Sequence, residues 1–292
     1  MTSVASVGGG PEDYSAATSL EQAVRFLAGG DGTILAGGTD LMVEAGRAVT
    51  NCNRLLNIRR IDALRGVAEE DGQIRVGALT SVSDLRGDPV LRAKAPILSD
   101  TADRFASDQI RNMATIGGNV CNASPAGDLI IPLLILDAEL ELVAWRGDGM
   151  ATRRVALDGF FKGPGQTVRE PDELLTAVTF AAPGDGFRAR FLKSGPRPAL
   201  EIATVAAAIG LRLDGDRVSH IRLAFGSVAP MPIRASRTEA HLMGKALTDA
   251  VIEAAGAIAA EEITPIDDVR ASAWYRRHLA AVYTRRLLGN DT

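Results

Sequence analysis

Cysteine is almost missing from this chain: Cys52 and Cys121 are the only two in 292 residues. Two thiols cannot build a disulfide framework or an all-cysteine iron–sulfur cluster, and they read as reduced, packed side chains of a cytoplasmic protein. Histidine is scarce as well. His220, His241 and His278 have no Cys or His neighbour at metal-ligand spacing, which argues against a zinc site. Aromatic residues amount to 4%, too few for a stacking platform that reads nucleic acid. Positive charge is not in excess either. Lys and Arg number 32 against 36 Asp and Glu, a net charge of −4, so nothing favours nucleic-acid or anionic-membrane binding. No apolar run approaches the roughly 18 residues of a membrane span, and the opening MTSVASVGGGPEDY lacks the basic start and apolar core of a secretory signal. The expectation is a soluble, cytoplasmic protein without membrane insertion.

What the chain does have is glycine, 30 residues of it, and a length that suggests two domains. Residues 19–28 carry apolar positions at helical spacing behind a Ser that can cap. DGTILAGGTDLM runs from a turn into a short apolar strand and a Gly-Gly pair. RLLNIRRI and QIRVGAL read as strands, TSVSDLRGDPVL as a helix capped by Thr80, and PILSDTADRFA as another helix. NMATIGGNVCNASPAGDLI reads as a loop, and DLIIPLLILDAELELVAW as a buried helix leading into a strand. AAPGDG at 181–186 is the strongest linker signal. After it come the strands FRARFLK, TVAAAIGLRLD and SHIRLAFGSVA, then helical stretches around 236–246, 248–260 and in the tail. That order implies an α+β N-terminal part and a C-terminal part of three strands followed by helices.

Two loops carry the chemistry: LAGGTD, Leu35 to Asp40, and TIGGNVCNASPAGD, Thr115 to Asp128. Consecutive glycines let backbone N–H groups converge on one anion without Cβ clashes. Thr39, Thr115, Asn119, Asn122 and Ser124 can add side-chain donors. Two such loops together would cradle a pyrophosphate. Neither is a Walker A or a GxGxxG sequence, and each taken alone is equally a tight turn.

The combination is more specific. AGGTD, then about 80 residues on TIGGN followed by an Ser-Pro-x-x-Asp stretch, resembles the FAD-binding medium subunit of molybdenum hydroxylases. That family includes the flavin subunits of carbon monoxide dehydrogenase and of xanthine-dehydrogenase-like enzymes. Further matching segments are LLNIRRIDAL, IRVGALTSVSDL, FFKGPGQTVREPDELLTAV, EIATVAAAIGL and RLAFGSVAPMPIRA, so the likeness spans roughly 16–290. It implies a two-subdomain α+β FAD-binding domain of the p-cresol-methylhydroxylase type over 1–182, and a C-terminal domain of a three-stranded sheet plus helices over 187–292.

By this resemblance Leu35, Ala36, Gly37, Gly38, Thr39 and Asp40 hold the pyrophosphate, joined by Thr115, Gly117, Gly118, Asn119 and Asn122. Asp128 matches a carboxylate on the ribose or adenine side; on residue type alone it is equally an N-cap of LIIPLLIL. Lys193 in FLKSG matches a lysine near the flavin ring, where a cation stabilises reduced anionic flavin; otherwise it is a solvated lysine at a strand end. Phe105 matches an aromatic that packs on the flavin, or is plain core. No histidine precedes residue 220, so FAD is expected to bind non-covalently.

The implied activity is that of an oxidoreductase subunit without catalytic acid, base or metal of its own. FAD here takes electrons from [2Fe–2S] clusters of a small subunit, fed by molybdopterin in a large one, and passes them to an external acceptor. A dimer of heterotrimers is implied. Loop segments Cys121 to Pro125 and Lys193 to Pro198 are candidates for the docking face. The rival reading is a stand-alone FAD-dependent oxidase of the wider superfamily, for which three tyrosines and no N-terminal histidine are a thin supply of substrate-side groups.

Overall fold

The structure is a computed structural model, and it describes residues 13–44, 53–195, 197 and 201–289. Cys52, Pro196 and Pro198 therefore lie outside the described residues.

The first layer is a small parallel sheet of order β1-β3-β2, made of β1 (Asp13–Ala16), β2 (Thr33–Leu35) and β3 (Arg54–Asn57). Helix α1 (Leu20–Ala28) makes the first crossover. Ser19 caps it by accepting from the Gln22 N–H, as its position before the apolar repeat predicts. Ala23, Val24 and Leu27 form its buried face against Leu56. The short α2 (Leu41–Glu44) follows the first Gly-Gly loop.

The second layer is an antiparallel sheet of order β4-β5-β10-β6-β7. Strands β4 (Val67–Glu70) and β5 (Gln73–Gly77) open it. Helices α3 (Val82–Gly87), α4 (Pro89–Lys94), α5 (Pro96–Asp103), α6 (Asp108–Met113), α7 (Ile116–Cys121) and α8 (Ile130–Ile135) follow. Then come β6 (Glu139–Arg146), β7 (Gly149–Ala156), the small ribbon β8 (Phe161–Gly163) and β9 (Gln166–Thr167), and β10 (Leu174–Ala181). Two expectations are corrected here. The cap of α3 is Ser81, in a capping box with Asp84, while the Thr80 hydroxyl donates to the Gly66 carbonyl. And the stretch from Asn112 is not loop throughout, because α6 runs to Met113 and TIGGN is the opening of a helix.

The third layer follows the turn at 182–187. Strands β11 (Arg188–Ser194), β12 (Val205–Asp214) and β13 (Arg217–Gly226) pair antiparallel, and the two-residue β14 (Ile233–Arg234) closes the far edge. Helices α9 (Ser236–Leu242), α10 (Asp249–Glu262) and α11 (Ala273–Leu288) cover one face with Val205, Ala207 and Ile209 beneath them. The other face, with Ala206, Ala208 and Ala224, joins the core of the second layer. The contact is α8, whose IIPLLI side chains are all buried. A helix apolar all round must be enclosed on every side. Small residues let it approach: a Cβ on Gly226 would lie 2.9 Å from Ile131 Cδ1. Pro132 is tolerated because the first turn of a helix has no N–H partner to lose.

Candidate functional site

A cavity of about 650 Å³ opens where the first two layers meet and Glu201 and Ile202 of the third approach. Its volume is in the range of cofactor sites. Both glycine loops line it, and they touch. A Cβ on Gly37 would sit 2.1 Å from the Met113 carbonyl oxygen, so only glycine lets the first loop lie on the backbone that leads into the second. Gly38 has φ +79, a left-handed conformation that turns successive N–H groups to one side. Among the described residues nothing in the protein accepts from the N–H groups of Gly37, Gly38 or Thr39. Three open backbone donors beside a cavity are what an anion requires.

The second loop works differently from the expectation. Its glycines sit in the first turn of α7, and the N–H groups there are already used. Ile116 donates to the Thr80 carbonyl at 3.1 Å, Gly117 to Ala78 at 2.9 Å, Gly118 to the Thr115 hydroxyl at 3.1 Å and Asn119 to the Thr115 carbonyl at 2.9 Å. Gly117 is glycine because α7 rests on Ala78, where a Cβ would approach to 2.7 Å. This segment therefore offers side chains and not a backbone cradle. Asn119 Oδ1 is buried without a partner. Asn122 and Ser124 also line the cavity. An unpaired buried acceptor costs about 1–3 kcal/mol, so such atoms mark where a donor belongs.

Asp128 gives the same signal. One carboxylate oxygen takes the Lys193 ammonium at 2.6 Å, the other is buried with no partner, and the residue is part of the cavity wall. The pair is enclosed, with side chains 9% and 5% exposed. Burial pushes the Asp128 carboxyl above the usual carboxylate range, and the Lys193 charge opposes it. Two readings are corrected. Asp128 does not cap α8, whose N-cap is Leu129 without a side-chain bond. Lys193 is not a solvated strand end; it is spent on Asp128.

Of the residues singled out in the sequence, Ala36 to Asp40, Phe105, Thr115, Gly117, Gly118, Asn119, Asn122 and Asp128 line one cavity. Leu35 and Lys193 stand behind it. Leu35 Cδ1 lies 3.1 Å from where a Gly38 Cβ would be, supporting the turn. Phe105 is half-buried in the turn between α5 and α6 rather than on a helix face. Sequence reasoning missed Leu174 and Leu175. Both line the cavity at the start of β10, just before a β-bulge between Leu175 and Ala177. It also missed Arg169, Glu201 and the cavity position of Cys121, whose thiol is pushed up to about 11 by burial against the Arg169 charge and is no nucleophile. Nothing in their local pattern marks them. Among the described residues no cluster of His, Cys, Asp or Glu could hold a metal, and no helix is long and apolar enough to cross a membrane.

Open anion donors and two orphaned acceptors in one cleft define a cofactor-holding α+β protein of the nucleotide-binding kind. Comparison with known proteins narrows this. The family model described as the FAD binding domain in molybdopterin dehydrogenase matches residues 7–182, and that of the CO dehydrogenase flavoprotein C-terminal domain matches 190–290. The chain belongs to this flavoprotein family. It is 34% identical over 278 residues to the xanthine dehydrogenase FAD-binding subunit of Escherichia coli O157:H7, covering 94% of each chain. It is 34% identical over 280 residues to the carbon monoxide dehydrogenase medium chain of Hydrogenophaga pseudoflava, covering 94% of this chain and 95% of that one. Among solved structures, reconstituted CO dehydrogenase from Oligotropha carboxidovorans superposes with a TM-score of 0.89 at 33% identity, over 96% of each chain.

Proposed function

We propose that this chain is the FAD-carrying electron-transfer subunit of a molybdenum hydroxylase. The observation that carries the reading is the cavity itself: Gly37 to Thr39, with three N–H donors unused by the protein, line it together with Asn119 and Asp128, each of which carries a buried oxygen without a partner. FAD has the complementary parts, a pyrophosphate for the donors and ribose hydroxyls for the acceptors. When bound, FAD accepts an electron pair and releases it to a further acceptor.

The chain's own residues bind and orient. The first loop holds the pyrophosphate through backbone donors; Thr115, Asn119 and Asn122 contribute from the second. Asp128 accepts from the ribose through its unpartnered oxygen while Lys193 neutralises it from behind. Phe105 forms part of the flavin wall. We divide the chain into the FAD-binding domain, 1–182, and the C-terminal domain, 187–292. Partners are a small [2Fe–2S] subunit and a large molybdopterin subunit in a cytoplasmic dimer of heterotrimers. Docking of the small subunit beside Cys121 to Pro125 and the described part of Lys193 to Arg197 suits this arrangement. The test is expression alone and with both partners: the lone chain binds one FAD and shows no substrate-driven flavin reduction, whereas a lone chain that reduces its flavin with a small organic substrate would be a stand-alone oxidase.

A further inference from the structure

Arg111 is a buried cation with no buried anion to match it. Its residue is 8% exposed, in the last turn of α6. One terminal nitrogen donates to three carbonyls, Phe105 at 2.6 Å, Ala106 at 3.1 Å and Asp103 at 3.3 Å. The other takes the Asp108 carboxylate at 2.6 Å, and that side chain is largely solvent-exposed. The Nε–H is buried without a partner. A guanidinium is desolvated only where something needs it.

What it holds is the turn after α5. The carbonyls past a helix end have no intrahelical donor, and the negative end of the helix dipole favours a cation there. Ala106 sits at φ +37, a conformation an alanine enters only under constraint. The three carbonyls gathered on one nitrogen supply that constraint. Phe105 and Ala106 are cavity-lining residues, and so is Ile110, one residue before Arg111. The same guanidinium therefore fixes the direction in which the Phe105 ring leaves the backbone.

We propose that Arg111 is a positioning residue for the cofactor: it pins the left-handed Phe105–Ala106 turn and so aims the Phe105 ring at the flavin. This rests on the reading of the cavity as a FAD site. Arg111 itself touches no cofactor; its effect passes through Phe105. Mutants of a residue and the neighbour through which it acts are not independent.

The experiment uses the full chain and measures FAD affinity by flavin fluorescence together with visible circular dichroism of the bound flavin. Arg111→Met, Arg111→Lys and Phe105→Leu are made singly and combined. Arg111→Met is expected to raise the FAD dissociation constant about tenfold and alter the flavin dichroism. Arg111→Lys, which returns a charged donor to the carbonyls, should recover affinity to within about threefold. In the Phe105→Leu background Arg111→Met should add less than threefold. Effects that multiply fully, or a Met variant with parental affinity and dichroism, overturn the proposal. Asp108→Asn loosens the same guanidinium from an exposed position and covers a Met variant that does not fold; its dichroism shift must appear in the Phe105 parent and vanish in Phe105→Leu, and a shift in both or neither is a refutation. Phe105→Leu that behaves as the parent also refutes the positioning role while leaving FAD binding standing. A parent chain that binds no FAD removes the underlying reading instead.

Discussion

Replacing Lys193 by methionine isolates the charge pair behind the cavity. Lys193 and Asp128 meet at 2.6 Å with side chains 5% and 9% exposed, so water does little to screen them. The pair as a whole contributes little net stability, because desolvating two charges offsets their attraction. Removing one member is different. The remaining carboxylate is buried and uncompensated, and breaking such a pair costs roughly 3–5 kcal/mol. Burial already pushes the Asp128 carboxyl up against the opposing lysine; without the lysine it rises further. The folded state then holds a proton that the unfolded chain, with its carboxyl at about 3.9, has released. Stability must therefore fall as pH rises through the window between the two values and level off above it. Urea denaturation of the FAD-free chain at several pH values reads this directly. Adding Asp128→Asn to Lys193→Met should recover most of the loss and remove the slope. A Lys193→Met variant that loses under about 1 kcal/mol without pH dependence, or a double variant no better than the single, would refute the reasoning.

Other outcomes follow from the same geometry. Gly37→Ala should destabilise the fold by about 1–3 kcal/mol, since its Cβ meets the Met113 carbonyl at 2.1 Å, whereas Gly87→Ala, with nothing within 4 Å, should not; equal denaturation midpoints would contradict this. Gly38→Val, at φ +79, should abolish FAD binding in a fluorescence titration, and stoichiometric FAD in that variant would make the loop an ordinary turn. Asp128→Asn should weaken FAD by about 1–3 kcal/mol and leave the poor affinity for FMN, which lacks the AMP half, unchanged. Asp268 gives an acid-side signature. Burial raises its carboxyl, but the N–H groups of Arg270 and Ala271 and the buried Arg276 guanidinium outweigh that and hold it at about 2. Its contribution is complete above the unfolded value and is lost as pH falls toward 2, so Asp268→Asn should flatten the acid limb of a stability–pH profile.

Local signals fared well wherever one neighbour decides the outcome. Ser19 before an apolar repeat became the cap of α1, and the alternation of β12 sends Val205, Ala207 and Ile209 to one core and Ala206 and Ala208 to the other. The linker signal at 181–186 marks a real turn between β10 and β11, and across it α8 packs on β12 and β13 so that one face of that sheet shares a core with the preceding layer. The site was legible as a set of residues and only partly as a mechanism. TIGGN looks like a loop because two glycines disfavour a helix; carbonyls of Ala78 and Thr80, some 40 residues away, supply the missing support. Asp128 and Lys193 were read separately because their pairing spans 65 residues. Ser81 rather than Thr80 caps α3, a choice between adjacent hydroxyls that only the Asp84 backbone settles.

The most direct test is substrate-driven flavin reduction followed by stopped-flow absorbance in the chain alone and in the complex with its iron–sulfur and molybdopterin partners. One releasable FAD per chain is expected in both, the chromophore passing entirely into the supernatant on acid precipitation. Substrate should bleach the flavin band only in the complex. A lone chain that bleaches at a catalytic rate, or a complex whose flavin stays oxidised while its clusters are reduced, would contradict it.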